Sequence, residues 1–516
     1  MDTPVLPIDI IQIRELLQSE HLMASFIPIL LAAVSFIFLV SAFVYKYDKP
    51  LIITQNKYYL LAFLLLVTSL FLTFKSNINQ NLRKNGIFYK KNSYLPAHYL
   101  TKGIATSFFQ ILFFSENYPK PKGYSKLAIQ NIINKYQLNV KSHTPKISPN
   151  LIILMVESLT DPKYFGWKTN QSNMQTLHKL TNEGRQSTAY SPVYGGKSIN
   201  AEFELLTGMS LRYTNPESLV YRESIKQPVP SIAQTLRNNK YNTFAFRDER
   251  IGEFGFKKIY DELGFEHTYS FVDKGHQQDP TGKYTSSIAI ADKIIATVEE
   301  NAPAFVFTFT MSSHAPWNGK EYDSQLDFLY PKGISKNEKR KMKGYLNAIN
   351  HMDKGIEKLI QHFKLSDKQT ALLVIGDHQP HLKVYNKNIK TQLVNNNIKR
   401  VIKKHSLPYY YWDNFTTTKQ LSSVPISFNF VSSLLLNQLQ IKSCGLLKFN
   451  AYFHQFYEVF GSYIKLSKKG NNSIEFDTLK ADYELLQYDV VYGENHQNYL
   501  LNKSCQSKSQ AISNER

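Results

Sequence analysis

Residues 151–157 read LIILMVE: six apolar residues without a charge, closed by a carboxylate. A short run of this kind reads as a strand buried on both faces. The same texture recurs downstream, and Asn242–Arg247 (NTFAFR), Ala304–Thr310 (AFVFTFT) and Thr370–Ile375 (TALLVI) read as strands too. Helical periods lie between them, over Met174–Gly184, Ser231–Lys240, Ser286–Glu300 and Asn337–Phe363. Apolar strands alternating with helices predict an α/β fold with a mainly parallel sheet covered on both faces. Ligands of such sheets gather beyond the carboxyl ends of the strands. Glu157, His314 and the Asp377-His378 pair all follow a predicted strand.

A second stretch, Tyr194–Gly208, reads YGGKSINAEFELLTG. Gly195 and Gly196 let the backbone turn sharply and come close to a ligand. Lys197 and Ser198 follow, and INAEFELL then takes up a helical period. A hydroxyl between a turn and a helix start can be an exposed nucleophile, with helix N–H groups nearby to receive an anion. Taken alone, Ser198 reads as an ordinary N-cap. Glu157, Asp377 and His378 change that reading. Two carboxylates, an imidazole and the serine oxygen form a ligand set suited to Mn²⁺, Mg²⁺ or Zn²⁺. Singly, each has a bland alternative: a solvated strand end, a capping Asp in a turn, a loop histidine in SSHAPW. Together they point to a metal site whose serine is both ligand and nucleophile.

The ordered series VESLT, GGKSINAEFELLTG, SSHAPW and GDHQP resembles the lipoteichoic acid synthase and phosphoglycerol transferase branch of the alkaline phosphatase/sulfatase superfamily. The likeness covers roughly residues 150–440 and implies a sulfatase-like fold outside the cytoplasmic membrane. By position it implies one divalent metal, commonly manganese, on Glu157, Ser198, Asp377 and His378. Ser198 stands where the family usually has a threonine nucleophile. His314 matches the histidine that contacts the substrate phosphate or protonates the leaving group, and Lys197 lies beside the nucleophile as a substrate contact. The family's substrate-binding arginine is missing from its place before DELGF, where Phe254 and Phe256 stand; Arg247 or Arg250 is the candidate replacement. The segment ADYELLQYDVVYGE, Ala481–Glu494, resembles a tail motif of Gram-negative members.

The resemblance implies transfer of a phospholipid headgroup, with phosphatidylglycerol the expected donor, through a phospho-serine to a glycan or polyol. Phosphoethanolamine transfer, a sulfatase-type hydrolase and a non-catalytic envelope binding protein are the rival readings. The C/S-x-P-x-R setting of type I sulfatases is absent after Ser198.

Lys and Arg number 61 against 41 Asp and Glu, a formal net charge of +20. That balance favours an acidic partner. No zinc knuckle, RNP motif or helix-turn-helix pattern supports nucleic acid; the lysines accompany many asparagines, a compositional bias, and an anionic membrane surface would also explain some of them. Residues 22–45 and 58–74 are uncharged apolar runs, read as two transmembrane helices within a membrane region 1–75. The positive-inside rule places their basic loop in the cytoplasm and both ends outside, at the bacterial inner membrane with the catalytic domain facing the periplasm. Lys75, Arg83, Lys84, Lys90 and Lys91, on the outer side, run against that orientation. Residues 76–147 read as a connector, with Tyr99–Ser115 as an interfacial helix or, as its rival, a third span. The catalytic domain is expected over 148–445 and a C-terminal extension with a disordered tail over 446–516. Two cysteines, Cys444 and Cys505, leave pairing open.

Overall fold

The four apolar runs form neighbouring strands at the centre of one sheet. In chain order the strands are β1 (Asn150–Val156), β2 (Gln186–Tyr190), β3 (Asn242–Arg247), β4 (His267–Ser270), β5 (Ala304–Thr310), β6 (Thr370–Gly376), β7 (Ser406–Asp413) and β8 (Ile426–Ser427). They lie side by side as β4-β3-β5-β1-β6-β7-β2-β8. β1 pairs in parallel with β5 and β6, and β3 with β4 and β5. β7 runs antiparallel to both β6 and β2.

The computed structural model describes residues 69, 73–88, 103–114, 118–139, 148–165 and 172–501, interrupted at 76, 215–219, 226, 253–254, 282, 318–327, 331, 384–396, 417–423, 463 and 468–473. The span expected over 22–45 lies outside the described residues, as does that over 58–74 save Ser69, Thr73 and Phe74. No described helix is long and apolar enough to cross a membrane. Two compact units are present. One holds residues up to Asn117 with 215–218, and its described part includes a helix over Ile104–Phe114. The other holds Tyr118–Thr214 and Leu219 onward.

In that second unit the sheet divides two cores, as the period of a strand requires. Leu151, Ile153 and Met155 of β1 face one. Ile152, Leu154 and Val156 face the other, under the helices Gln175–Asn182, Ser287–Asn301 and Lys336–Leu365. The first core also takes in Phe449, Phe453, Leu479, Tyr483 and Leu486. Part of the expected connector and part of the expected C-terminal extension are therefore built into the same unit as the sheet. The helix Ile474–Val491, which holds the tail motif up to Val491, receives phenol hydrogen bonds from the segment after residue 117. Tyr118 donates to Glu484 (2.5 Å), Tyr124 to Asp489 (2.7 Å) and Tyr136 to Asp482 (2.7 Å). Cys444 is disulfide-bonded, and the chain's other cysteine, Cys505, lies outside the described residues.

Candidate active site

Strand ends deliver the site. β1 ends at Val156 and β6 at Gly376, so Glu157 and Asp377 leave adjacent parallel strands at the same edge. A Cβ on Gly376 would collide with the backbone oxygen of Leu159, so this close crossing requires glycine. Glu157, Asp377 and His378 are buried, and one ligand atom from each lies within 4.8 Å of the others. His378 Nε2 is 3.3 Å from Asp377 Oδ2 and 3.6 Å from Glu157 Oε1.

The Ser198–Thr207 helix brings the hydroxyl. Lys197 precedes it at φ 64, a left-handed conformation that a lysine adopts at a cost. Lys197 occupies the cap position without a side-chain cap bond, which leaves the Ser198 hydroxyl for another partner. Ser198 Oγ donates to Glu157 Oε2 at 3.3 Å. Ser158, to which no role was given from the sequence, supports the cluster from φ 54. Its N–H donates to Asp377 Oδ1 (2.7 Å) and its hydroxyl to Glu157 Oε1 (2.7 Å).

Burial opposes ionisation of Glu157, but His378, His314 and the Ser158 hydroxyl outweigh it and hold this carboxyl below its ordinary value. Burial and the Glu157 charge push Asp377 upward. His378 is raised, since the two carboxylates outweigh the burial that opposes its charge. Asp377 Oδ2 is buried without a hydrogen-bond partner. Two buried carboxylates, one with an oxygen that makes no hydrogen bond, share a single imidazole, a set short of positive charge, so the residues fit a divalent cation.

His314 follows β5 in an exposed position, and its field reaches Glu157. Its loop is tied to the cluster: the Ser313 hydroxyl donates to the Glu157 carbonyl, and Trp317 Nε1 donates to the Ser313 carbonyl (2.9 Å). Tyr284 meets His314 Nδ1 at 3.2 Å. Nothing in the sequence marked this tyrosine, because it sits in a polar loop without a motif.

A model of the sulfatase family matches residues 149–441, more than half of the chain. The chain belongs to the sulfatase family. This sulfatase-family protein is 26% identical over 395 residues to a Rhizobium meliloti protein named for cyclic β-1,2-glucan modification, covering 74% of this chain and 60% of that one. It is 24% identical over 255 residues to the capsular polysaccharide biosynthesis protein RkpI of the same organism, 46% of this chain and 42% of that one. The chain thus spans less than two thirds of the curated relatives it matches. Among solved structures, Streptococcus pyogenes phosphoglycerol transferase GacH in complex with sn-glycerol-1-phosphate superposes with a TM-score of 0.60 at 19% identity, over 74% of this chain and 97% of that one. The sulfatase-like fold expected from the motifs is shared with that transferase.

Arg247 needs a correction. Expected as a substrate contact, it is 1% exposed and committed within the protein. Its Nη1 donates to Glu202 Oε2 (2.6 Å) and to the Tyr260 hydroxyl (2.8 Å); Nε donates to Glu249 Oε2 (2.9 Å), as does Nη2. Its guanidinium lies over the Phe256 ring at 3.6 Å. Glu202 belongs to the serine helix and also accepts from Tyr221 (2.6 Å). With its three nitrogens engaged, the guanidinium braces that helix.

Proposed function

We propose that the chain is a metal-dependent phosphotransferase that moves phosphoglycerol from phosphatidylglycerol to a glycan. The observation that carries this reading is the Ser198 hydroxyl 3.3 Å from Glu157 Oε2, beside a buried carboxylate–imidazole cluster short of positive charge. Glu157, Ser198, Asp377 and His378 would hold one divalent cation, Mn²⁺ first and Mg²⁺ or Zn²⁺ as alternatives, and it supplies charge that lowers the serine pKa and offsets the phosphoryl oxygens. Ser198 Oγ, having lost its proton, attacks phosphorus. The Oγ–P bond forms, the bond from phosphorus to the diacylglycerol oxygen breaks, and His314 gives that oxygen a proton. An acceptor hydroxyl then attacks phosphorus, His314 takes its proton, and Ser198 Oγ is released. Lys197, next to the nucleophile, is assigned to the substrate phosphate.

A glycan acceptor is supported by the two relatives named for glucan and capsular polysaccharide work. Residence at the inner membrane, anchored through 22–45 and 58–74 with the sheet domain outside, is supported by those apolar runs and by a disulfide at Cys444, a bond that persists in oxidising compartments. The test uses the full chain in lipid–detergent micelles with phosphatidylglycerol labelled in its headgroup. Wild type is expected to release diacylglycerol and carry label covalently; Ser198→Ala loses both, by about 10⁴-fold in rate. Diacylglycerol release by Ser198→Ala at the wild-type rate overturns the proposal. Label taken from phosphatidylethanolamine instead moves the donor while leaving the serine chemistry in place.

A further inference from the structure

The backbone around His314 is fixed while its ring is exposed. His314 N–H donates to the Met311 carbonyl (2.8 Å), and Met311 N–H donates to Asp248 Oδ2 (3.2 Å). The same carboxylate accepts from Thr285 N–H (3.0 Å to Oδ1), the residue next to Tyr284. One buried carboxylate thus clamps the two segments that carry Tyr284 and His314. An exposed imidazole on a rigid backbone would still sample several rotamers unless something meets the ring. Tyr284 does so, with its hydroxyl 3.2 Å from His314 Nδ1 and 3.5 Å from the Ala315 carbonyl.

A phenol has one proton to donate. Were it given to Nδ1, the Ala315 contact could not be a hydrogen bond. Both contacts are satisfied together in one arrangement: Tyr284 donates to the Ala315 carbonyl and its oxygen accepts from Nδ1–H. Nε2 is then the nitrogen open to proton exchange. The arrangement also survives the reaction, because Nδ1 keeps its proton whether Nε2 is protonated or not. Burial, then Glu157, push the Tyr284 pKa upward, so it stays a neutral phenol.

We propose that Tyr284 is a positioning residue that holds His314 in the Nδ1–H tautomer and presents Nε2 to the leaving and accepting oxygens, with Asp248 keeping the two loops in register. This rests on the phosphotransfer reading and names a part of the machinery that the sequence motifs omit. In each cycle the Nε2 proton passes to the diacylglycerol oxygen as its bond to phosphorus breaks, and a proton returns to Nε2 from the acceptor hydroxyl.

The test compares two leaving groups on the full chain in micelles. Phosphatidylglycerol releases an alkoxide that needs a proton; a p-nitrophenyl phosphodiester of glycerol releases a stable phenolate that does not. Tyr284→Phe is expected to lower kcat on phosphatidylglycerol about tenfold, the value of one hydrogen bond, with KM held. On the nitrophenyl ester the single-turnover burst of nitrophenolate, which needs no proton from His314, is expected to match wild type, which also shows that the variant folds. In a His314→Ala background the substitution should add nothing. An equal loss in the nitrophenolate burst, or losses that add to those of His314→Ala, overturn the inference. Wild-type kcat for Tyr284→Phe on both substrates does the same, while the serine chemistry stands. Wild-type protein that transfers nothing from either substrate overturns the phosphotransfer reading itself.

Discussion

Two clusters of buried charge meet the Ser198–Thr207 helix about one turn apart, and they are built in opposite ways. At Glu202 the hydrogen bonds are matched: Arg247 gives its nitrogens to Glu202, Glu249 and Tyr260, and both Glu202 oxygens have donors. At Ser198 they are unmatched. Two carboxylates face each other across one imidazole, and Asp377 Oδ2 makes no hydrogen bond although His378 Nε2 lies 3.3 Å away. The backbone repeats the contrast, since the left-handed residues Ser158 and Lys197 both belong to the unmatched cluster. A fully paired buried charge fixes geometry. A cluster in deficit, held by strained residues, keeps binding capacity for something that arrives later.

The largest effect that could break this contrast is at Arg247. Arg247→Met leaves Glu202 and Glu249 without their cation and is expected to cost about 3–5 kcal/mol in denaturant unfolding, with Glu202→Leu in the same chain restoring much of it. Unchanged stability together with a raised KM for the lipid donor would instead return Arg247 to a substrate role. A smaller effect sharpens the other side. Manganese at about 100 times its dissociation constant should stabilise wild type by ~2.7 kcal/mol, reversed by a chelator. Asp377→Asn should lose most of that response while the metal-free protein is no less stable, because a like-charge contact has gone. A variant that responds to manganese as wild type does shows that the deficit serves no cation. The smallest effect concerns strain. Lys197→Gly should raise stability by about 1 kcal/mol by relieving the left-handed lysine, and lower transfer from the lipid if this side chain meets the phosphate. A gain in both stability and activity removes Lys197 from the site.

Much of this was legible because the chemistry sits at the ends of the most apolar strands. β1, β3, β5 and β6 are buried along nearly their whole length, so each reads as an uninterrupted run. β2 and β7 were missed for the converse reason. QSTAY is polar and largely half-buried, and SLPYYYWD carries a proline and follows a Lys/Asn-rich stretch. They pair with each other across more than two hundred residues, a match no local window contains. Arg247 was misread for the same kind of reason. It stands near the place of the family's missing arginine, and nothing local shows that Glu202, 45 residues earlier, accepts from it. The C-terminal helix hid because Asp482, Gln487 and Asp489 are buried along with Leu479, Tyr483, Leu486 and Val490, which blurs its apolar stripe.

The three phenols that reach Asp482, Glu484 and Asp489 set the size of the piece that can stand alone. A fragment trimmed to the family span, 149–441, would shed Tyr118, Tyr124 and Tyr136 with the helix that receives them, and would strip Phe449, Phe453 and Tyr483 from the face beneath the serine helix. A self-sufficient piece therefore starts near Tyr118 and runs past Leu501 far enough to keep Cys505, the chain's one other cysteine beside the disulfide-bonded Cys444, so the start and the end of this unit are fastened to each other like the two ends of a belt.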